Sequence, residues 1–166
     1  MLNRLFDRVL LILAGVAAVI LVFTTVSVDF EVIMRYAFNN PTKWVVDFSE
    51  YALVFILFLS TAWVLSQEGH VKIDLLLKAF SGKTQRVVNI VTSIIGTVAC
   101  AIFFGYALWI TLEIFQAGDV LWRATIIPKG PIWIVMPIGS FLLTLQFARK
   151  AWFLFRNREM PGKEAL

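Results

Sequence analysis

Four long apolar runs, separated by short polar stretches, set the pattern of this chain. Val9 to Val28 holds no charged residue and no proline. Tyr51 to Gln67 is likewise uncharged, Val87 to Leu112 is the longest run, and Gly130 to Ala148 is the fourth. A helix needs roughly 20 apolar residues to cross the hydrocarbon core of a bilayer. The runs therefore predict four transmembrane helices, over about 9–34, 44–67, 84–115 and 130–154. The second reaches spanning length only by starting near Trp44 and taking in Asp47 and Glu50. Between the second and third runs lies VKIDLLLKAFS, residues 71–81. It is too short to span. Its apolar residues cover a wide arc of a helical wheel, while Asp74 and Lys78 share the opposite face at i, i+4. That pattern predicts an amphipathic helix lying in the plane of the membrane surface. The alternation of Val71, Ile73 and Leu75 leaves a short strand as the alternative reading. The expected fold class is all-α: a polytopic membrane protein with one membrane domain over 1–155 and a tail over 156–166.

Composition sharpens this picture. Hydrophobic residues make up 60% of the chain, against nearer half in a soluble domain. The basic residues decide the orientation, because Lys and Arg collect in short cytoplasmic loops. With the N-terminus inside, only Arg35, Lys43, Arg123 and Lys129 of the 15 Lys and Arg residues fall outside. Both termini are therefore expected to be cytoplasmic. The net charge of +4 is dispersed around apolar runs, which is not a nucleic-acid footprint. Trp44, Trp122 and Trp133 fall at the expected outer interface and Trp152 at the inner one, as aromatic belts require. The first run is too long for a signal-peptide core. Asp29, Glu31 and Arg35 follow where a small-residue cleavage site would stand, so it reads as a retained span.

The densest polar chemistry lies at the corner from Arg35 to Tyr51. Asn39-Asn40-Pro41 is turn chemistry, since Asn tolerates turn positions and the residue before proline avoids the helical region. Asp47 and Glu50 follow at i and i+3 on one helix face. An ion pair from Arg35 to Asp47 or Glu50 is expected to fix the hairpin. The same patch is available to a partner protein or a lipid headgroup. Asp29 and Glu31 are read as capping this corner. His70 is the one histidine, so neither a haem axial pair nor a metal cluster is in prospect. It is read as bonding backbone at a helix boundary. Cys100 is the one cysteine and reads as a small packing residue. Gly96-x-x-x-Cys100 and Ala101-x-x-x-Gly105 are small-residue pairs suited to helix contact. Ala14, Ala17 and Ala18 offer small surfaces on the first span. Pro137 lies inside the fourth span and frees a backbone carbonyl, so a kink is expected there. Gly139 beside it permits close helix approach.

No phosphate loop, nucleophile–base pair or central intramembrane charge is visible, which argues for a scaffold or accessory subunit over an independent pump. The order of motifs goes further. An arginine after the first span is followed by Phe38-Asn39-x-Pro41-x-x-Trp44-x-x-Asp47. Then come Glu68-Gly69-His70-Val71-x-x-Asp74-Leu75-Leu76 and Pro131-x-Trp133-x-x-x-Pro137-Ile-Gly139. This series resembles the small membrane subunit of tripartite ATP-independent periplasmic (TRAP) transporters over about residues 5–155. Arg35, Trp44, Asp47, His70, Asp74, Trp133, Pro137 and Gly139 match its motif positions. The family usually has Glu where this chain has Asp47, and often a basic residue where it has Glu50.

The resemblance implies four membrane helices plus an in-plane helix in a bacterial inner membrane. It implies a large membrane subunit carrying the solute and sodium sites, and a periplasmic binding protein delivering an organic acid, a C4-dicarboxylate or a sialic acid. This chain would then be a non-enzymatic small permease subunit with no cofactor of its own. It would act as scaffold and docking partner, with membrane lipids and those two proteins as its partners. Two other classes stay open at this point. An autonomous small oligomeric transporter would need a membrane-embedded acid early in the chain. A membrane anchor of a redox complex would need paired histidines.

Overall fold

The computed structural model describes residues 2–67, 82–118, 120–121 and 127–156. Four helical segments in it are long and apolar enough to cross a membrane. They are α1 (Leu2–Ala37), α2 (Lys43–Gln67), α3 (Gly82–Ala117) and a fourth built from α4 (Lys129–Trp133) and α5 (Val135–Phe155). At 1.5 Å rise per residue, the 36 residues of α1 and of α3 exceed a bilayer core of about 30 Å. Both helices must tilt or protrude. The loop before the fourth segment adds a two-residue antiparallel ladder, β1 (Val120–Leu121) with β2 (Ile127–Pro128). The in-plane helix expected over 71–81, with His70 and Asp74, and the tail from residue 157 lie outside the described residues.

The chain ends α1 with the turn chemistry its sequence supplies. Asn39 adopts a left-handed φ of 49°, and the Asn40 N–H donates to Met34 O at 3.0 Å. The left-handed residue turns the chain so that the amide beyond it returns to a free carbonyl of the last helical turn, with Pro41 just beyond to prevent continuation. Within the spans, several hydroxyls find partners on their own helix. Thr24, Ser49, Ser60 and Thr97 each donate to the carbonyl one turn back, on Ile20, Val45, Ile56 and Ser93. A membrane interior requires such internal partners.

The helices pack as a row, α1–α2–α5–α3: α1 lies on α2, and both α2 and α3 lie on α5. The core sits where α1, α2 and α5 meet, at Ala17, Leu59 and Val135, with Leu13, Ile20 and Phe58 against them. Small residues set the crossings. Gly139 of α5 seats on the backbone of Phe58 in α2, and Gly96 of α3 receives the ring of Phe147 from α5. The second small pair behaves differently from expectation. Ala101 and Gly105 are exposed, because α3 turns its other side toward α5. On α1 the same division holds: Ala17 is buried and Ala18 exposed.

Candidate functional site

The polar residues gather at three levels of the bundle. The first is the corner between α1 and α2. Trp44 is half exposed and meets the ring of Phe48 edge-on at 6.5 Å. Phe48 in turn meets Phe23 of α1 edge-on at 5.3 Å. This aromatic ladder holds α2 against α1. One residue on from Trp44, Val45 is buried; Asp47 is buried too, while Glu50 is exposed.

Arg35 corrects the expected cross-turn pair. Its Nε and Nη2 both donate to Glu31 Oε1, at 2.9 and 2.7 Å. The pairing lies within α1 and does not run across the turn to Asp47 or Glu50. The reason is local. Residues four apart on a helix are neighbours, so Glu31 is in reach with no loop to cross. Its side chain is only 7% exposed, so it requires a cation close by. The expectation that Glu31 caps the corner is corrected: it is the buried half of this pair.

The second level is the interrupted fourth segment. Ile134 separates α4 from α5, with bridging bonds from Ile134 N–H to Gly130 O at 3.1 Å and from Ile138 N–H to Ile134 O at 3.4 Å. Pro137 is buried and has no N–H, so the carbonyl of Trp133, one turn back, loses its helical donor. Thr111 of α3 faces that carbonyl. Its hydroxyl donates to Ala107 O at 2.6 Å and lies 3.4 Å from Trp133 O. A residue on the neighbouring helix thus supplies a weak substitute donor, as happens when proline breaks a membrane helix.

The third level, at the opposite end of the bundle, carries no local sequence signal. Arg149 of α5 grips Asp7 of α1 with both arms: Nη1 donates to Oδ1, and Nη2 to Oδ2 at 3.1 Å. The Arg149 guanidinium also lies 5.7 Å from the ring centres of both Phe6 and Phe153. The nearest hint is Asp7, the single acid in the first 28 residues. Gln146 was missed as well. It is 1% exposed, one turn above Arg149, in a run that the sequence presents as apolar.

These groups join helices and hold positions. Among the described residues no cluster of His, Cys, Asp and Glu could hold a metal ion. The buried carboxylates, Glu31 and Asp47, sit near the helix ends that flank the α1–α2 corner.

Residues 24–157 match the family described as tripartite ATP-independent periplasmic transporters, DctQ component. The C4-dicarboxylate TRAP transporter small permease protein DctQ of Vibrio cholerae is 22% identical over 164 residues, covering 81% of this chain and 68% of that protein. The protein of the same name from Pseudomonas aeruginosa is 26% identical over 125 residues, covering 70% of this chain and 56% of that protein. With four spanning helices and a match over most of its length, this chain is a multi-pass membrane protein and belongs to the DctQ-component family of TRAP transporters.

Proposed function

We propose that this chain is the small permease subunit of a sodium-coupled, binding-protein-dependent TRAP transporter for an organic acid. Its relatives' names make a C4-dicarboxylate the first solute to test, with a sialic acid the second. It works in a bacterial inner membrane with both termini cytoplasmic. The solute and sodium sites belong to a large membrane subunit, and a periplasmic binding protein delivers the acid.

The observation that supports a scaffold role is the placement of charge. A path for a charged solute would need charged groups at mid-span, and the described charges lie toward the helix ends. The outward faces of α1 and α3 instead present Val19, Val22, Val26, Ile95, Ile102 and Trp109, broad enough for lipid or a partner helix. Arg35, Asp47 and Glu50 organise the outer corner, while Pro137 and Gly139 set the shape of the central helix.

The test is co-purification and reconstitution. The tagged chain is expressed with a large TRAP subunit and a binding protein from the same genome, and extracted in mild detergent. A stoichiometric complex, with sodium-dependent dicarboxylate uptake only when all three proteins are present, is the expected result. A homo-oligomer that transports alone overturns it in favour of an autonomous transporter.

A further inference from the structure

The end of the bundle where α1 begins and α5 finishes is strongly cationic. Its described charged side chains are Arg4, Asp7 and Arg8 on α1, and Arg149, Lys150 and Arg156 on α5. Asp7 alone is acidic, and it is engaged: both of its oxygens accept from Arg149. Arg4 and Arg8 stand one turn apart on the same side of α1, and both are exposed. Like charges at this spacing repel. Among the described residues, neither arginine has an acid within ion-pair distance. The two guanidiniums therefore form a site for an anion that the described part of the chain does not supply.

Depth and surroundings name the anion. Trp152 lies one turn beyond Arg149 on α5. It is 60% exposed and carries the Arg156 guanidinium 5.3 Å above its ring. An exposed tryptophan beside a cation belongs at the headgroup level of a membrane. Because Arg149 grips Asp7, that ring marks the level of Arg4 and Arg8 to within about a turn. Arg8 is also the residue just before the uncharged run that starts at Val9. Below the two arginines, the same side of α1 continues as open apolar surface. Leu11, Val19 and Val22 there are exposed, and nothing lies within 4 Å of a Cβ added to Gly15 between them. A double cation above an apolar strip, on one helix face, complements an anion that carries a hydrocarbon tail. Free phosphate or an acidic soluble segment matches the arginines alone. With Arg149 neutralised by Asp7, the cations Arg4, Arg8, Lys150 and Arg156 remain in excess, so this end favours a headgroup without an ammonium of its own.

We infer that Arg4 and Arg8 form a binding site for the phosphate of an anionic phospholipid, whose acyl chain lies along Leu11, Val19 and Val22. The inference rests on the spans and on the placement of charge, not on which solute the transporter carries. The bound phosphate removes the repulsion between the two arginines and ties the start of α1 to one leaflet of the membrane.

The full chain is reconstituted in vesicles holding phosphatidylglycerol and phosphatidylethanolamine in equal amounts. It is extracted in mild detergent, and native mass spectrometry identifies the lipid that stays bound. Three forms are compared: the unaltered chain, the double variant Arg4→Gln with Arg8→Gln, and Lys43→Gln, which removes an exposed cation at the opposite end. Each basic residue at a membrane surface favours anionic lipid by about fivefold. The double variant should therefore lose about 25-fold of the preference for phosphatidylglycerol, while Lys43→Gln keeps it. No preference in the unaltered chain, or an equal loss in Lys43→Gln, overturns the inference. Should the double variant fail to fold, Arg4→Gln and Arg8→Gln are measured singly, each with a loss of about fivefold expected; an unchanged preference in both overturns the inference. Inorganic phosphate that displaces phosphatidylglycerol at equal concentration also overturns it, because the tail would then contribute nothing. So does a large TRAP subunit that expels the lipid and is itself lost from the double variant, an outcome that assigns the arginines to that protein.

Discussion

A Cβ built on Gly139 would lie 2.4 Å from the carbonyl oxygen of Phe58 and 2.6 Å from its Cβ. The first of these neighbours is backbone, which cannot swing aside as a side chain can. The crossing of α2 and α5 therefore admits no side chain at this position.

Gly139→Ala should lower stability by about 1–3 kcal/mol, the usual cost of overpacking a tight contact. Gly105→Ala is the control, since nothing lies within 4 Å of its added methyl. The measurement is thermal unfolding in detergent. A midpoint several degrees lower for Gly139→Ala alone is expected; equal midpoints would mean that α2 can slide away.

The Asp7–Arg149 pair is partly shielded, with side chains 34% and 12% exposed. Arg149→Ala should cost on the order of 1–3 kcal/mol, between the values for exposed and buried pairs, because it also removes the guanidinium from Phe6 and Phe153. Asp7→Asn should cost less, as amide groups still accept a hydrogen bond. A double-mutant cycle isolates the pair. Additive effects would show that the two groups act separately.

Thr111→Val should cost about 0.5–1 kcal/mol, the scale of hydrogen bonds between membrane helices, by removing the donor near the Trp133 carbonyl. In a Pro137→Ala background that carbonyl regains a helical N–H. The effect of Thr111→Val should then shrink. An undiminished effect would show that the hydroxyl matters only to Ala107.

Arg35→Ala leaves Glu31 buried without its cation and should reduce folded yield and complex recovery well below Lys43→Ala, whose side chain is exposed. Glu31→Gln should partly rescue Arg35→Ala, because it removes the stranded charge. Recovery of the tagged complex from membranes is the readout. Equal losses for Arg35→Ala and Lys43→Ala would count against a structural role for the pair.

The long-range architecture was legible because it depends on runs of like residues. The four apolar stretches became helices, and Asn39-Asn40-Pro41 supplied the turn its residue types predict. Pro137 announced an interruption, although the break in the helix falls at Ile134, one turn ahead of the residue that causes it. Side-chain partnerships were less legible. Arg35 had three acids in reach; Asp47 is buried as Glu31 is, and the place of Glu31 one turn away on the same helix decides between them. Asp7 and Arg149 are separated by 142 positions, so no local pattern joins them. Gln146 gave no periodic signal, being a single amide in an apolar run. Among small residues, Gly96 and Gly105 look equivalent in sequence; the direction from α3 to α5 distinguishes them, and that is a property of the assembled bundle.

The row of helices has a consequence for biogenesis. α5 follows α3 in the chain yet stands between α2 and α3. When α3 leaves the insertion machinery, its principal neighbour has not yet been made, and it must wait in the lipid with Gly96 uncovered. The α1–α2 hairpin can close early, but the other half cannot form before the final helix arrives and slots in. A chain cut short before Val135 would thus lose two helices' worth of packing, and quality-control proteases in the membrane should recognise the stranded α3.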